Sequence, residues 1–165
     1  MSGAYHVPLF GVTRGQKLAL GSPTMDRIYR GFLGLWQLIP ESCQYEQGDP
    51  PASGSYRISE NKDGTIEFTA EWVDAAGKSG SVSFSGFPDG TKMPFAAGEL
   101  ADSLAVEAVS SRELNSYAYL EGKELMVAQR QLDNSGDAMR VTQVVRLPNG
   151  ESPGNVAVYR RVIPS

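Results

Sequence analysis

The sequence predicts a mainly β chain: a single antiparallel up-and-down β-barrel of about eight to ten strands, with one short N-terminal helix. Three observations carry this. From Trp36 onward apolar residues recur at period two, the signature of strands with one buried face. Glycine-bearing turns separate those strands at regular intervals. Only one stretch, just before Trp36, has helical spacing.

Residues 1–20 show no periodicity and contain Pro8 with Gly3, Gly11 and Gly15, so they are read as an irregular arm. The domain proper is expected over 21–165. Ser22 is a good cap, Pro23 suits a first helical position, and Asp26 complements the positive end of the dipole. Met25, Ile28, Tyr29, Phe32 and Leu33 follow at helical spacing. A helix over 23–33, ended by Gly34, is the expectation.

Beyond it, Ile66, Phe68, Ala70 and Trp72 alternate with Glu67, Thr69 and Glu71. Val82 and Phe84 alternate with serines, and Val156 and Val158 open a last strand. Gly64, Gly77 and Gly90 recur at one constant interval, and Gly122, Gly136 and Gly150 at another. Each glycine can take the positive φ that a tight hairpin needs. The strands are placed at 35–40, 54–60, 65–73, 79–87, 103–110, 113–120, 123–133, 138–147 and 155–163. Closure removes the edges of so many strands, though a curved half-barrel closed across the helix fits the same periodicity.

Composition narrows the function classes. A formal net charge of −4 argues against the basic face that a phosphate backbone needs, so no nucleic-acid partner is expected. Cys43 is the only cysteine, which precludes an internal disulfide. No charged segment followed by a long apolar run marks a secretory signal, and no run is long enough for a membrane span. The cytoplasm is the expected compartment.

Gly34-Leu35-Trp36, following the short helix, is similar to the Gly-x-Trp signature of lipocalins. Val158-Tyr159-Arg160-Arg161 occupies the matching place in the last strand. Asp89-Gly90-Thr91-Lys92-Met93-Pro94-Phe95, Asp102-Ser103-Leu104-Ala105-Val106 and the run from Arg130 to Met139 resemble bacterial lipocalin-like, calycin-type β-barrel proteins of unassigned function. The resemblance implies that Trp36 plugs one end of the barrel and that a last-strand arginine packs on it. Parity with Val156 and Val158 turns Arg160 inward, whereas the resemblance favours Arg161. Gly34, Trp36, Arg160 and Arg161 are therefore the structural signature.

The chain is poor in catalytic groups. His6, the one histidine, lies in the arm, and Cys43 has no histidine near it in sequence, so neither a metal site nor a Cys/His pair is expected. Gly77-Lys78-Ser79-Gly80 lacks the spacing and helix of a phosphate loop. No catalytic residue is assigned.

The ligand-binding candidates are Tyr56, Phe68, Trp72, Phe84, Tyr117 and Arg130. Arg130 either shares an interior face with Met126, Ala128 and Leu132, needing a bound carboxylate or an internal acid as partner, or points outward with Leu125, Val127, Gln129 and Gln131 inside. The first reading is a binding protein that holds a small apolar or amphipathic ligand in the barrel. The alternatives are a filled barrel acting as a homodimeric interaction module, and a metal-independent isomerase- or cyclase-like enzyme.

No intrinsic cofactor is expected. Elemental analysis of untagged protein should find no stoichiometric transition metal; a full equivalent would overturn this reading.

Overall fold

The computed structural model describes residues 27–95 and 101–163. They build one sheet of ten antiparallel strands: β1 (Gly34–Tyr45), β2 (Ser53–Glu60), β3 (Ile66–Val73), β4 (Ser79–Gly86), β5 (Met93–Pro94), β6 (Ser103–Ser110), β7 (Glu113–Leu120), β8 (Lys123–Leu132), β9 (Ala138–Val145) and β10 (Gly154–Arg161). The order is β4-β3-β2-β1-β10-β9-β8-β7-β6-β5, so first and last long strands lie side by side. The result is an up-and-down, nearly closed barrel, as the turn spacing predicts.

The seam lies between β4 and β6. It is bridged by the segment after β4: the Gly90 N–H donates to Val106 O at 2.8 Å, and the Ala108 N–H to Pro88 O at 2.9 Å. Gly86 is pressed on Val106 so closely that a Cβ there would sit 2.8 Å from a valine methyl. β5 is only Met93–Pro94 and was not expected from the sequence. Two residues leave no period to read.

β1 runs to Tyr45, past the Pro40 at which the sequence stops it. The register with β10 shifts between Ile39 and Gln44, and a proline is tolerated at such a bulge. Ser42 repairs the ladder there: its hydroxyl donates to Ile39 O at 2.6 Å and accepts from the Val158 N–H at 2.9 Å.

Of the helix expected over 23–33, residues 23–26 lie outside the described residues, as does the arm 1–20. The rest is a 3₁₀ helix, Ile28–Phe32, with bonds from the Arg30 and Leu33 N–H groups to carbonyls three residues back. It ends at Leu33, and Gly34 opens β1 instead of closing the helix. Gly34 has φ 133°, and a Cβ on it would lie 3.1 Å from Arg161 Nη1. No described helix is long and apolar enough to cross a membrane.

Tyr29 and Phe32 of the 3₁₀ helix join Trp36, Ile58, Ile66, Val106, Leu114 and Met139 in the core at one end of the barrel. Tyr29 donates its hydroxyl to Glu60, which also takes Arg27. Trp36 is fully buried and donates Nε1–H to Phe32 O at 3.0 Å. Arg161 stacks on its indole, with Cζ 4.3 Å from the ring centroid, and donates to the carbonyls of Gly31, Leu33 and Gly136. Arg160 is exposed, so it is Arg161 that meets the tryptophan, and not the Arg160 that parity with Val156 and Val158 turns inward. Removing the indole deletes the plug and strands the guanidinium. Trp36→Ala should cost about 3–5 kcal/mol, read as a lower urea midpoint; an unchanged midpoint would refute the plug.

Candidate functional site

Strand register decides which side chains meet inside the barrel. Arg130 on β8 lies opposite Leu114 on β7 and Val141 on β9. Its alternates Ala128 and Leu132 share its face, with Ser116 from β7 beside Ala128. Arg130 therefore points inward, and Val127 and Gln129 point out. Across the interior, Tyr56 on β2 pairs with Ala70, and Phe68 on β3 pairs with Phe84 on β4. These strands bring Arg130, Tyr56, Ser116, Phe68 and Phe84 together.

The geometry is that of a buried cation in an aromatic cage. Arg130 is 1% exposed. Its Nη2 donates to Tyr56 Oη at 2.9 Å and Ser116 Oγ at 3.1 Å, while Nη1 reaches the carbonyls of Ala128 and Leu114 at 3.4 and 3.5 Å. Cζ lies 4.5 Å from the Phe68 ring centroid and 5.4 and 5.9 Å from those of Tyr56 and Phe84. The ring faces carry negative quadrupole density, which offsets part of the desolvation. Arg130 Nε is buried without a hydrogen-bond acceptor, and no carboxylate of the described residues pairs with the guanidinium.

Phe68 and Phe84 stack at 4.8 Å, and Tyr159 meets Tyr56 edge-on at 5.3 Å. Burial pushes the Tyr159 phenol well above its ordinary value, with Tyr56, Tyr45 and Cys43 adding in the same direction. Tyr159 thus stays protonated beside the cage. Neither Ser116 nor Tyr159 was singled out as a partner of Arg130. A small residue among apolar ones carries no signal until the register is known.

Trp72 lies on the same inner face as Phe68 but at the far end of β3, away from the plug. It is 37% exposed, next to Val82 at 39%, and its indole covers Gly80, where a Cβ would come within 2.6 Å. Glu67 and Glu71 take the opposite face. An open groove of about 900 Å³ beside β1–β4, lined by Gln37, Ser55, Glu71, Trp72, Ser79 and Ser81, does not reach Arg130.

Tyr117 has to be moved. It pairs with Ala105 and Val127, which puts it on the outside of the barrel, opposite in direction to Ser116. It is nevertheless 3% exposed. Its hydroxyl accepts from Asn115 Nδ2 at 3.4 Å, and burial raises its pKa strongly, with Glu107 adding to that. Tyr117 belongs to a second buried cluster. His6 lies outside the described residues, Cys43 is half-buried on β1, and no cluster of metal-ligating side chains occurs among the described residues.

No protein-family profile matches this chain, and no curated protein matches it. Solved structures do. The wild-type fluorescent protein UnaG superposes with a TM-score of 0.53 at 17% identity, covering 81% of this chain and 98% of that one. A redesigned β-barrel gives 0.50 at 15% identity, covering 84% and 98%. Zebrafish ileal bile acid-binding protein, complexed with cholic acid, gives 0.48 at 15% identity, covering 80% and 99%. The first two likenesses show the fold alone. The chain folds as a nearly closed antiparallel β-barrel, and its candidate site is an arginine in an aromatic cage.

The buried phenols make a measurable signature. Tyr29 is pushed up to about 12, by burial first and its bond to Glu60 second, and Tyr117 and Tyr159 are pushed further. A raised folded-state pKa means that the unfolded chain loses these protons first. Their stabilisation is complete below pH 10 and falls as pH rises through 12 and beyond. In a spectrophotometric titration of the seven tyrosines, these three should stay protonated at about pH 11. Uniform titration of all seven near 10 in the folded protein would contradict the burial described.

Proposed function

We propose that this chain is a binding protein for a small amphipathic molecule, whose anionic end meets Arg130, Tyr56 and Ser116 and whose apolar body runs past Phe68 and Phe84 to Trp72. The observation that carries this is the buried guanidinium of Arg130, with its Nε unsatisfied and no carboxylate partner among the described residues. A buried charge is costly unless paired. An incoming carboxylate supplies the missing charge.

Ligand length follows from the strand. Phe68 beside the cage and Trp72 at the mouth are four residues apart, about 13 Å at ~3.3 Å per residue. That spacing suits a carboxylate with an extended tail of about ten carbons. Burying such a tail gains roughly 25 cal/mol per Å² removed from water. We place the chain among bacterial lipocalin-like barrels on its Gly34-Leu35-Trp36 and Arg161 pairing, and in a reducing compartment such as the cytoplasm on its lone cysteine.

One observation favours a second reading. The stacked Phe68 and Phe84 and the edge-on Tyr56 and Tyr159 already occupy the space around Arg130. In a filled barrel the cage itself is the counterpart of the charge, and the protein acts through its surface.

Titrating decanoate, oleate and the matching alcohols against tryptophan fluorescence separates the two. Wild type should bind the carboxylates with micromolar affinity, and Trp72→Phe should lose most of the signal. Arg130→Met should weaken the carboxylates about 10- to 100-fold and leave the alcohols unchanged, the scale of a charge-assisted hydrogen bond. If no compound binds below about 100 µM, the filled barrel stands.

A further inference from the structure

The sheet ends in two edge strands, and only one of them is blunted. β5 is two residues long and ends in Pro94, an edge poorly suited to recruiting another strand. β4, at the other edge, runs Ser79–Gly86 without a charge or a proline, and its register with β3 is regular from end to end. The Asp74 N–H donates to Lys78 O at 2.8 Å, and in an antiparallel pair every second residue from there exchanges bonds with its opposite. Gly80, Val82, Phe84 and Gly86 therefore turn their backbone groups to β3. Ser79, Ser81, Ser83 and Ser85 turn theirs away, and among the described residues these groups have no backbone partner. The segment that bridges the seam leaves them open. Gly86 is buried on Val106, whereas Ser79, Ser81, Val82, Ser83 and Ser85 are exposed.

We propose that two copies of this chain pair through β4, antiparallel about a two-fold axis at Ser81. A reciprocal fit selects a second copy over a foreign strand. With Ser81 opposite the partner's Ser81, Ser79 lies opposite the partner's Ser83 and Ser83 opposite the partner's Ser79. The open N–H and C=O groups of all three then meet. The same register sets Val82 opposite the partner's Gly80. Gly80 has no side chain because Trp72 lies over it, where a Cβ would come within 2.6 Å of the indole. Val82 of each copy thus lands against the partner's Trp72, and the two-fold repeats the contact.

Val82 and Trp72, at 39% and 37%, are two of the four large hydrophobic side chains left exposed among the described residues. One symmetry operation covers both. On the other face of the joined strands serine meets serine, with no charge to repel. An edge one strand long falls below a standard interface, so the dimer is expected at micromolar concentrations and above. It does not depend on what fills the barrel interior.

Sedimentation velocity of the full chain from about 1 µM to 1 mM reads the association. Wild type should pass from monomer to dimer across that range. Ser81→Lys and Ser81→Glu each set like charges face to face on the axis, and each should weaken the dimer at least about tenfold. An equal mixture of the two should recover wild-type association. Hydrogen exchange on wild type needs no variant: the Ser79, Ser81 and Ser83 amides should slow as the dimer forms. A wild type that stays monomeric at the highest concentration overturns the proposal, as does a dimer that both charge variants form unweakened. So does a mixture that fails to recover although both variants keep the wild-type urea midpoint. A dimer in which those three amides exchange as fast as in the monomer overturns it too.

Discussion

The contact between Trp36 and Arg161 organises this barrel. The two residues face each other across the pairing of β1 with β10, so the stack forms where the sheet joins its beginning to its end. The indole fills the closed mouth. The guanidinium ties that plug to the 3₁₀ helix through Gly31 and Leu33, and to the β8–β9 turn through Gly136. A cation on an aromatic face contributes about 0.5–2 kcal/mol, and here it also satisfies three backbone carbonyls at the helix end and the turn. Gly34 follows from the same contact, since a side chain there would meet Arg161.

The architecture was legible because its signals are local. The six glycines that marked turns all have positive φ at the joins between strands, and the alternation in β3 names its inner face correctly from Ile66 to Trp72. Parity failed where both faces of a strand are buried. β8 reads Leu-Met-Val-Ala-Gln-Arg, apolar on either side, because Val127 is as shielded outside as Ala128 is inside. The orientation of Arg130 was therefore undecided from sequence, and Tyr117 was assigned to the wrong side of β7 for the same reason. Periodicity pointed to Arg160 and the family pattern to Arg161, so the sequence left the two undecided. The Ile39–Gln44 bulge lies on the partner strand, where no reading of β10 alone would find it.

The interior is more polar than its outline suggests. An arginine, two tyrosines and a serine sit among phenylalanines, and the arginine donates to the Tyr56 and Ser116 hydroxyls. These hydrogen bonds hold the surrounding rings in one arrangement, since moving Tyr56 would cost the guanidinium an acceptor. The aromatic residues around Arg130 thus owe their placement to the cation as much as to packing. The site was visible in composition, as an arginine amid aromatics, but its membership depended on which strands lie across from which.

The adjacency of β1 and β10 also bears on how the chain reaches this state. Residue 36 finds its partner at 161, so the most organising contact is among the most distant along the chain. The hairpins between β2 and β4 and between β6 and β9 can form from neighbours as they emerge, each closing a short loop at little entropic cost. β1 must wait for the last strand, with its Leu38 side and backbone edge unsatisfied until then. Long-range pairing of this kind slows folding and leaves intermediates with open edges. During synthesis, the barrel remains an unsealed sheet until nearly all of these residues have left the ribosome.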